Sequence, residues 1–324
     1  RENQLSITAT DLTTQLTCKL PATGDEFAAC LPAKILTRLI KPEGRGNAGT
    51  VELYPSDDQR STVLLDETRT RLIGSDPVDF PPGNSPDLDW EPLTIWETKA
   101  LRDSLGFILP ASSKDDTRTN LCTVLLDEQF MVTTDGHRLH IADLPSPLSQ
   151  SVLLPATAAR TLYRLLSDSG IVCISRTGRF LRIQVGPWQL ETQLVEERFP
   201  DYQQVIPASE NRVTRITVDT QTLNKALARV GRISKEKKVK FCVNGLITLC
   251  TCDAELGEAE IEVPTIHNNH QGDDLIIGFD TAYLKDALAT KAPTVEMSFA
   301  DALAPMLIDV DGGRRAVVMP IRLE

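Results

Sequence analysis

No apolar run in these 324 residues approaches the roughly 20 residues that a membrane-crossing helix needs. The opening stretch RENQLSITATDL lacks the basic-then-apolar pattern of a signal peptide, and it lacks an initiator Met. These absences point to a cytoplasmic chain without a membrane partner, from which N-terminal residues have been removed. The seven cysteines are odd in number and widely scattered, which excludes a fully paired disulfide framework. Most sit in strand-like runs such as GIVCIS and KFCVNG and read as reduced core residues. Cys250 and Cys252 in CTC have no second cluster to complete a metal site, so neither metal nor cofactor is expected. Positive charge is in short supply too, with 34 Lys and Arg against 45 Asp and Glu and a net charge of −11. Taken alone, that balance argues against a polyanionic partner, so the placement of the charge matters more than its sum.

A 41% hydrophobic content supplies ordinary globular cores, and the length suits two or three domains. The strongest signal is internal repetition. LSITATDL, FMVTTDGHRL and ITLCTCDAEL each read as a strand ending in an acid, at Asp11, Asp135 and Asp253, with steps of 124 and 118 residues. A second series, GTVELY at Gly49, GIVCIS at Gly170 and PTVEMS at Pro293, steps by 121 and 123. Each member of the second series follows an amphipathic helical stretch. Two of these, LPAKILTRLI and LPATAARTLYRLL, open with Pro at a first-turn position; the third, FDTAYLKDALATK, has Asp280 as N-cap. Each unit therefore reads as strands and helices in alternation, with boundaries near 1–90, 91–207 and 208–324. Only ten residues precede Asp11, against 44 and 45 between the later unit starts and their aspartates. The first unit is expected to be short by a helix and a strand or two.

The basic residues follow the helices. Lys34, Arg38 and Lys41 fall at i, i+4, i+7; Lys99 and Arg102 at i, i+3; Arg160 and Arg164 at i, i+4; Lys225, Arg229 and Arg232 at i, i+4, i+7. Lys285 lies on the last helix, and Thr94 with Glu97 forms a capping box for the stretch TIWETKALRDSLGFIL. Apolar residues such as Leu36, Leu39, Leu223 and Leu227 take the complementary faces. An acidic protein with one basic, repeated face suits a polyanion contacted without base readout.

Together, ITATDL, VTTDGHRL, EERFPDYQQVIP, IGFDTAYLKDAL and the terminal AVVMPIRL resemble the bacterial DNA sliding clamp, the beta subunit of DNA polymerase III. The motifs span all three units in the family's order. The resemblance implies an α+β fold of three tandem similar domains, the DNA-clamp fold, each with two helices packed on antiparallel sheets and forming half of a ring. It implies a homodimer around double-stranded DNA, held without sequence preference and without catalytic activity. The implied partners are the DNA polymerase III catalytic subunit, the clamp loader and other proteins with a clamp-binding motif. They dock by a short peptide in a pocket between the second and third domains. On this sequence the pocket falls on Leu121, Thr134, Gly136, His137, Arg138, Leu139, Pro200 and Val205. From the third domain it takes Asp280, Tyr283, Leu303, Pro305, Val317, Val318, Met319, Pro320, Ile321 and Arg322. A mostly apolar pocket with a few polar groups suits such a peptide. The dimer contact falls on Arg69, Arg71 and Leu72 of one edge strand and on Glu255, Glu258 and Glu260 of another, with Arg232 and Ile233 nearby. Opposite charges on two edges favour their mutual pairing. The sequence departs from the family at Gln204, at Thr119 and Asn120, and in the shortened SKEKKVKF loop.

Two other readings stand beside this one. A clamp paralogue would bind partner or inhibitor peptides without supporting replication. A metal-dependent hydrolase would centre on Asp135, His137 and His140, which share a short stretch, but no Ser or Cys motif accompanies them. GRGNAG, from Gly44 to Gly49, matches a dinucleotide fingerprint but follows a helix and precedes a strand, which is the wrong order. HNNH, from His267 to His270, reads as a polar turn.

Overall fold

The computed structural model describes residues 4–40, 51–55, 60–65, 68–81, 89–271 and 274–323. The chain divides into two compact units, Arg1–Asp87 and Leu88–Glu324. In the first, β1 (Gln4–Thr10) and β2 (Thr14–Pro21) form an antiparallel hairpin around Asp11. Helix α1 (Ala33–Leu39) buries none of its residues. An antiparallel meander follows, with β3 (Val51–Pro55), β4 (Arg60–Leu65) and β5 (Thr68–Ile73).

The second unit contains two copies of one plan. The first copy runs β6 (Glu91–Glu97), α2 (Thr98–Ile108), β7 (Thr123–Leu126), β8 (Phe130–Thr134) and β9 (Arg138–Asp143). It continues through β10 (Val152–Pro155), α3 (Ala156–Leu165), β11 (Ile171–Thr177), β12 (Phe180–Val185) and β13 (Trp188–Gln193). The second copy runs β14 (Thr214–Asp219), α4 (Thr220–Val230), β15 (Lys238–Val243), β16 (Ile247–Asp253) and β17 (Gly257–Val263). One added strand, β18 (Thr265–Asn268), precedes β19 (Leu275–Asp280), α5 (Thr281–Ala287), β20 (Thr294–Phe299), β21 (Met306–Asp309) and β22 (Arg314–Val318). The strand orders β6-β11-β12-β13 and β14-β20-β21-β22 match copy for copy, as do β10-β7-β8-β9 and β19-β15-β16-β17. All their pairings are antiparallel. Both landmark series of the sequence fall on equivalent elements. The acids close the hairpins β1–β2, β8–β9 and β16–β17, and the second series begins the strands after α1, α3 and α5.

The helices sit where periodicity put them. In α2, Leu101, Leu105 and Ile108 are buried; in α4, Leu223, Leu227 and Val230 are, which is the i, i+4, i+7 stripe of a half-buried helix. Two capping expectations are corrected. Thr94 and Glu97 do not form a capping box, because β6 stays paired with β11 as far as Glu97, which therefore caps α2 without a side-chain bond. Pro32 and Pro155 stand just before α1 and α3 in extended geometry, not in the first turn, and Pro155 still pairs within β10. Asp280 caps α5 through the amide of Ala282, at 2.7 Å.

The two copies fuse where β9 pairs with β22, Arg138 opposite Val318 and Leu139 opposite Val317. Beneath that seam lies a shared core in which Leu139, Ile141, Leu307 and Val317 meet Phe199 and Tyr202 from the segment joining the copies. The Phe-Pro segment is thus a strap over the sheet. The Tyr202 hydroxyl donates to Asp127 at 3.0 Å, and burial with that carboxylate pushes its pKa up to about 12. The cysteines are less buried than their strand-like runs suggest, with Cys18 buried, Cys252 exposed and the others half-buried. Cys242, Cys250 and Cys252 take the face of β15 and β16 opposite the buried Phe241, Val243 and Leu249, as strict alternation requires.

Candidate functional site

The stretch Met131–His140 spans β8, its turn and half of β9. Asp135 builds the turn: its Oδ1 accepts the amides of His137 at 3.0 Å and Arg138 at 3.1 Å. Asp11 does the same for Thr13 and Thr14, and Asp253 for Glu255 and Leu256. The repeated acid is a hairpin device, a side-chain oxygen satisfying backbone donors that the turn leaves open. The carboxyl of Asp253 is correspondingly held below the usual range by the amides of Glu255 and Lys235. Gly136 completes the turn with φ +91°, a conformation open to glycine at little cost.

The other polar groups of this stretch cap a helix. The last carbonyls of α2 lack helical partners, and Pro110 cannot supply an amide. Thr133 donates its hydroxyl to the Ile108 carbonyl at 2.5 Å, His140 places Nδ1 2.7 Å from the Phe107 carbonyl, and Arg138 Nη2 reaches the Pro110 carbonyl. His140 is fully buried, its ring stacked on Phe107 with centroids 4.8 Å apart, and burial lowers its pKa to about 4. It is a neutral core histidine. His137 lies outside β9 on the exposed turn, so Asp135, His137 and His140 do not converge as a catalytic or metal-binding trio. Among the described residues no group of three or more His, Cys, Asp or Glu is placed to hold a metal.

Arg138 joins the two copies. Its Nε donates to Asp135 Oδ2 at 3.1 Å, its Nη1 pairs with Asp286 on α5, and its guanidinium lies 4.5 Å from the centroid of the Tyr283 ring. The His137 ring lies nearly parallel to Tyr283, 6.2 Å away, and the His137 carbonyl accepts the Met319 amide at 3.0 Å. Beyond Met319 the chain runs back to β19, where Ile321 donates to the Gly278 carbonyl at 2.8 Å. A Cβ at Gly278 would come within 2.6 Å of Leu323 and 2.8 Å of the Ile321 carbonyl, so this approach requires glycine.

Of the residues assigned to the pocket, His137, Tyr283 and Met319 are thus brought together, while Ile321 is held on Gly278 of β19. Thr134 holds the Arg138 carbonyl through its hydroxyl at 2.7 Å. Leu121, Leu139, Val317 and Val318 are buried, so their side chains do not offer a free surface. Pro200, Val205, Leu303 and Arg322 are exposed, and Pro305 and Pro320 are half-buried. Asp286, Pro110 and Phe107 leave no signal along the chain, because partners drawn from three separate elements share no spacing. At the altered positions, Gln204 turns to Asp201 at 2.9 Å, Thr119 bonds Glu197, and Asn120 donates to the Arg198 carbonyl.

The basic residues vary in freedom. Lys34, Arg38, Lys99, Arg164, Lys225 and Arg229 are exposed on their helices, and Lys285 is half-buried. Arg102 is paired with Asp168 at 2.8 Å, and Arg160 donates to Ser112 at 2.6 Å. Lys41 lies outside the described residues. Of the edge-strand residues, Arg69 and Arg71 are exposed on β5, whereas Leu72 is 5% exposed and packed within its own unit. Strand β17 ends its four-stranded sheet and exposes Glu258 and Glu260; Glu255 before it pairs with Lys235. Arg232 is exposed and Ile233 half-buried just past α4.

Duplicated two-helix copies fused edge to edge define the class of DNA clamps, and the comparisons agree. Residues 97–201 match the family model for the DNA polymerase III beta subunit, central domain, and 203–322 match the model for its C-terminal domain. A beta sliding clamp from Proteus mirabilis is 30% identical over 345 residues, covering 99% of this chain and 90% of the relative. The structure of the sliding clamp from Caulobacter crescentus superposes with a TM-score of 0.85 at 28% identity, covering 100% of this chain and 90% of the other. A clamp from Bartonella birtlesii bound to griselimycin gives 0.86 at 25% identity, with coverage of 100% and 90%. The chain belongs to the bacterial beta sliding clamp family, the beta subunits of DNA polymerase III.

Proposed function

We propose that this chain is a processivity factor without catalytic activity of its own, which encircles duplex DNA as a homodimer and tethers the replicative polymerase. Residues 1–90, 91–207 and 208–324 are its three clamp domains. The reading rests on family membership together with one local observation. At the seam of the two copies, a wall of the exposed His137 and Met319 and the half-buried Tyr283 stands over a buried, strap-covered core. That is an aromatic and apolar surface edged by polar groups, suited to a short peptide segment. The exposed helix cations contact phosphates diffusely, without base readout to fix a position on the duplex. The edge residues Glu258 and Glu260 of one subunit meet Arg69 and Arg71 of the other, a head-to-tail contact that closes into a ring.

Tethering is tested by salt. Rising salt releases short linear duplex, whereas protein loaded by a clamp loader onto closed circular DNA stays bound; loss from both at the same salt would refute the topological reading. Docking is tested with griselimycin, the compound bound in the B. birtlesii structure. Saturable binding that His137→Ala weakens supports the wall, and binding that this variant leaves unchanged places the compound elsewhere.

A further inference from the structure

We infer that Arg138 is a positioning residue of the docking wall, a latch between the two clamp domains, and does not itself touch the docked peptide. The inference rests on the docking site proposed above and refines it. Three of the guanidinium nitrogens are already engaged, by Asp135 in the turn, by the Pro110 carbonyl in the 3-10 turn that follows α2 and by Asp286 on α5. Its flat face is engaged as well, against Tyr283. The Arg138 side chain is 10% exposed. A planar fork held on three edges and one face has little left to offer a ligand; instead, it fixes the groups that hold it.

What it fixes is the wall. Asp135 sets the turn that carries His137, while Asp286 and Tyr283 lie one helical turn apart on α5. Tyr283 therefore meets His137 only while α5 is held at its distance from the β8–β9 turn, and the Arg138–Asp286 ion pair bridges that gap. The flanking copies of the turn clarify the specialisation. Thr14 and Leu256 follow their aspartates at the position of Arg138, so neither flanking turn carries a guanidinium there. In the middle copy, the second carboxylate oxygen of Asp135 recruits the arginine that crosses to the next domain.

The test uses Asp286→Asn, since Asp286 is 40% exposed and its substitution spares the buried side of the latch. In the ligand-free protein, the ring-current shift that Tyr283 imposes on the His137 ring protons should shrink in Asp286→Asn and in Arg138→Gln. An unchanged shift in both variants would overturn the latch, whether or not any peptide binds. Fluorescent griselimycin then reads affinity: each single variant should weaken binding about tenfold, and the double variant no further than the weaker single one. Arg138→Lys, which keeps the charge but loses the fork, should retain an intermediate affinity. If Arg138→Gln weakened binding while Asp286→Asn left it at the wild-type value, Arg138 would be a direct ligand contact and the inference would be wrong. Failure of the wild-type protein to bind the compound, with the His137 shift still responding to Asp286→Asn, would remove the docking reading and leave the latch standing.

Discussion

His140 offers a direct test of the physical reading, because folding holds it neutral in the core. An unfolded histidine titrates near 6.5, whereas burial against Phe107 lowers this one to about 4. Between those values the unfolded chain binds more protons than the folded one, so stability is full above pH 6.5 and falls as the pH drops toward 4. The difference of about 2.5 pH units corresponds to roughly 3 kcal/mol in all, of which about 2 kcal/mol is lost between pH 7 and pH 5. His140→Asn keeps an amide donor for the Phe107 carbonyl and removes the titration. At pH 7 it should cost about 1–3 kcal/mol, from lost ring packing and a small cavity. All three tryptophans, Trp90, Trp96 and Trp188, lie in the second unit, so urea unfolding followed by their fluorescence reports on that unit. The loss between pH 7 and pH 5 should be about 2 kcal/mol smaller in the variant than in the parent, other titrations cancelling in the difference. Equal losses would show that His140 is not held neutral and that its capping of α2 has been misread.

Other outcomes follow from the same geometry. Gly278→Ala should push the Ile321–Leu323 segment off β19 and weaken griselimycin binding severalfold by titration, with the core melting transition nearly unmoved, since the clash is confined to that segment. Tyr283→Ala should weaken the same binding by about 2 kcal/mol, as for a central aromatic anchor, without changing the sheet signal in circular dichroism. Glu258→Lys with Glu260→Lys on the edge strand β17 should lower the mass measured by light scattering toward that of a single chain; an unchanged mass would take β17 out of the interface. Asp219→Ala removes the N-cap bond to the Thr222 amide of α4 and should lower stability by about 1 kcal/mol in urea titration.

Much of this architecture was legible along the chain because it is written twice or more. A repeated acid at the end of a strand, a repeated helix before a strand and a fixed interval between them need no tertiary knowledge, since each is a local rule of turns and periodicity. The helix stripes were legible for the same reason. Thr94 and Glu97 mark where local rules lost: a capping pattern was overridden by strand pairing with β11 that the sequence alone cannot register. The stretch MVTTDGHRLH shows the division most clearly. The sequence determined that Asp135 and Gly136 make a turn and that alternating residues of β9 face opposite sides. Only the tertiary structure decided that His140 would face the end of α2 and be neutral, that His137 would stand in solvent against Tyr283, and that Arg138 would cross to α5. The physical reason is that a side chain's role depends on which carbonyls, rings and charges lie within a few ångströms of it. Here those neighbours come from α2, β22 and α5, elements that only folding brings together.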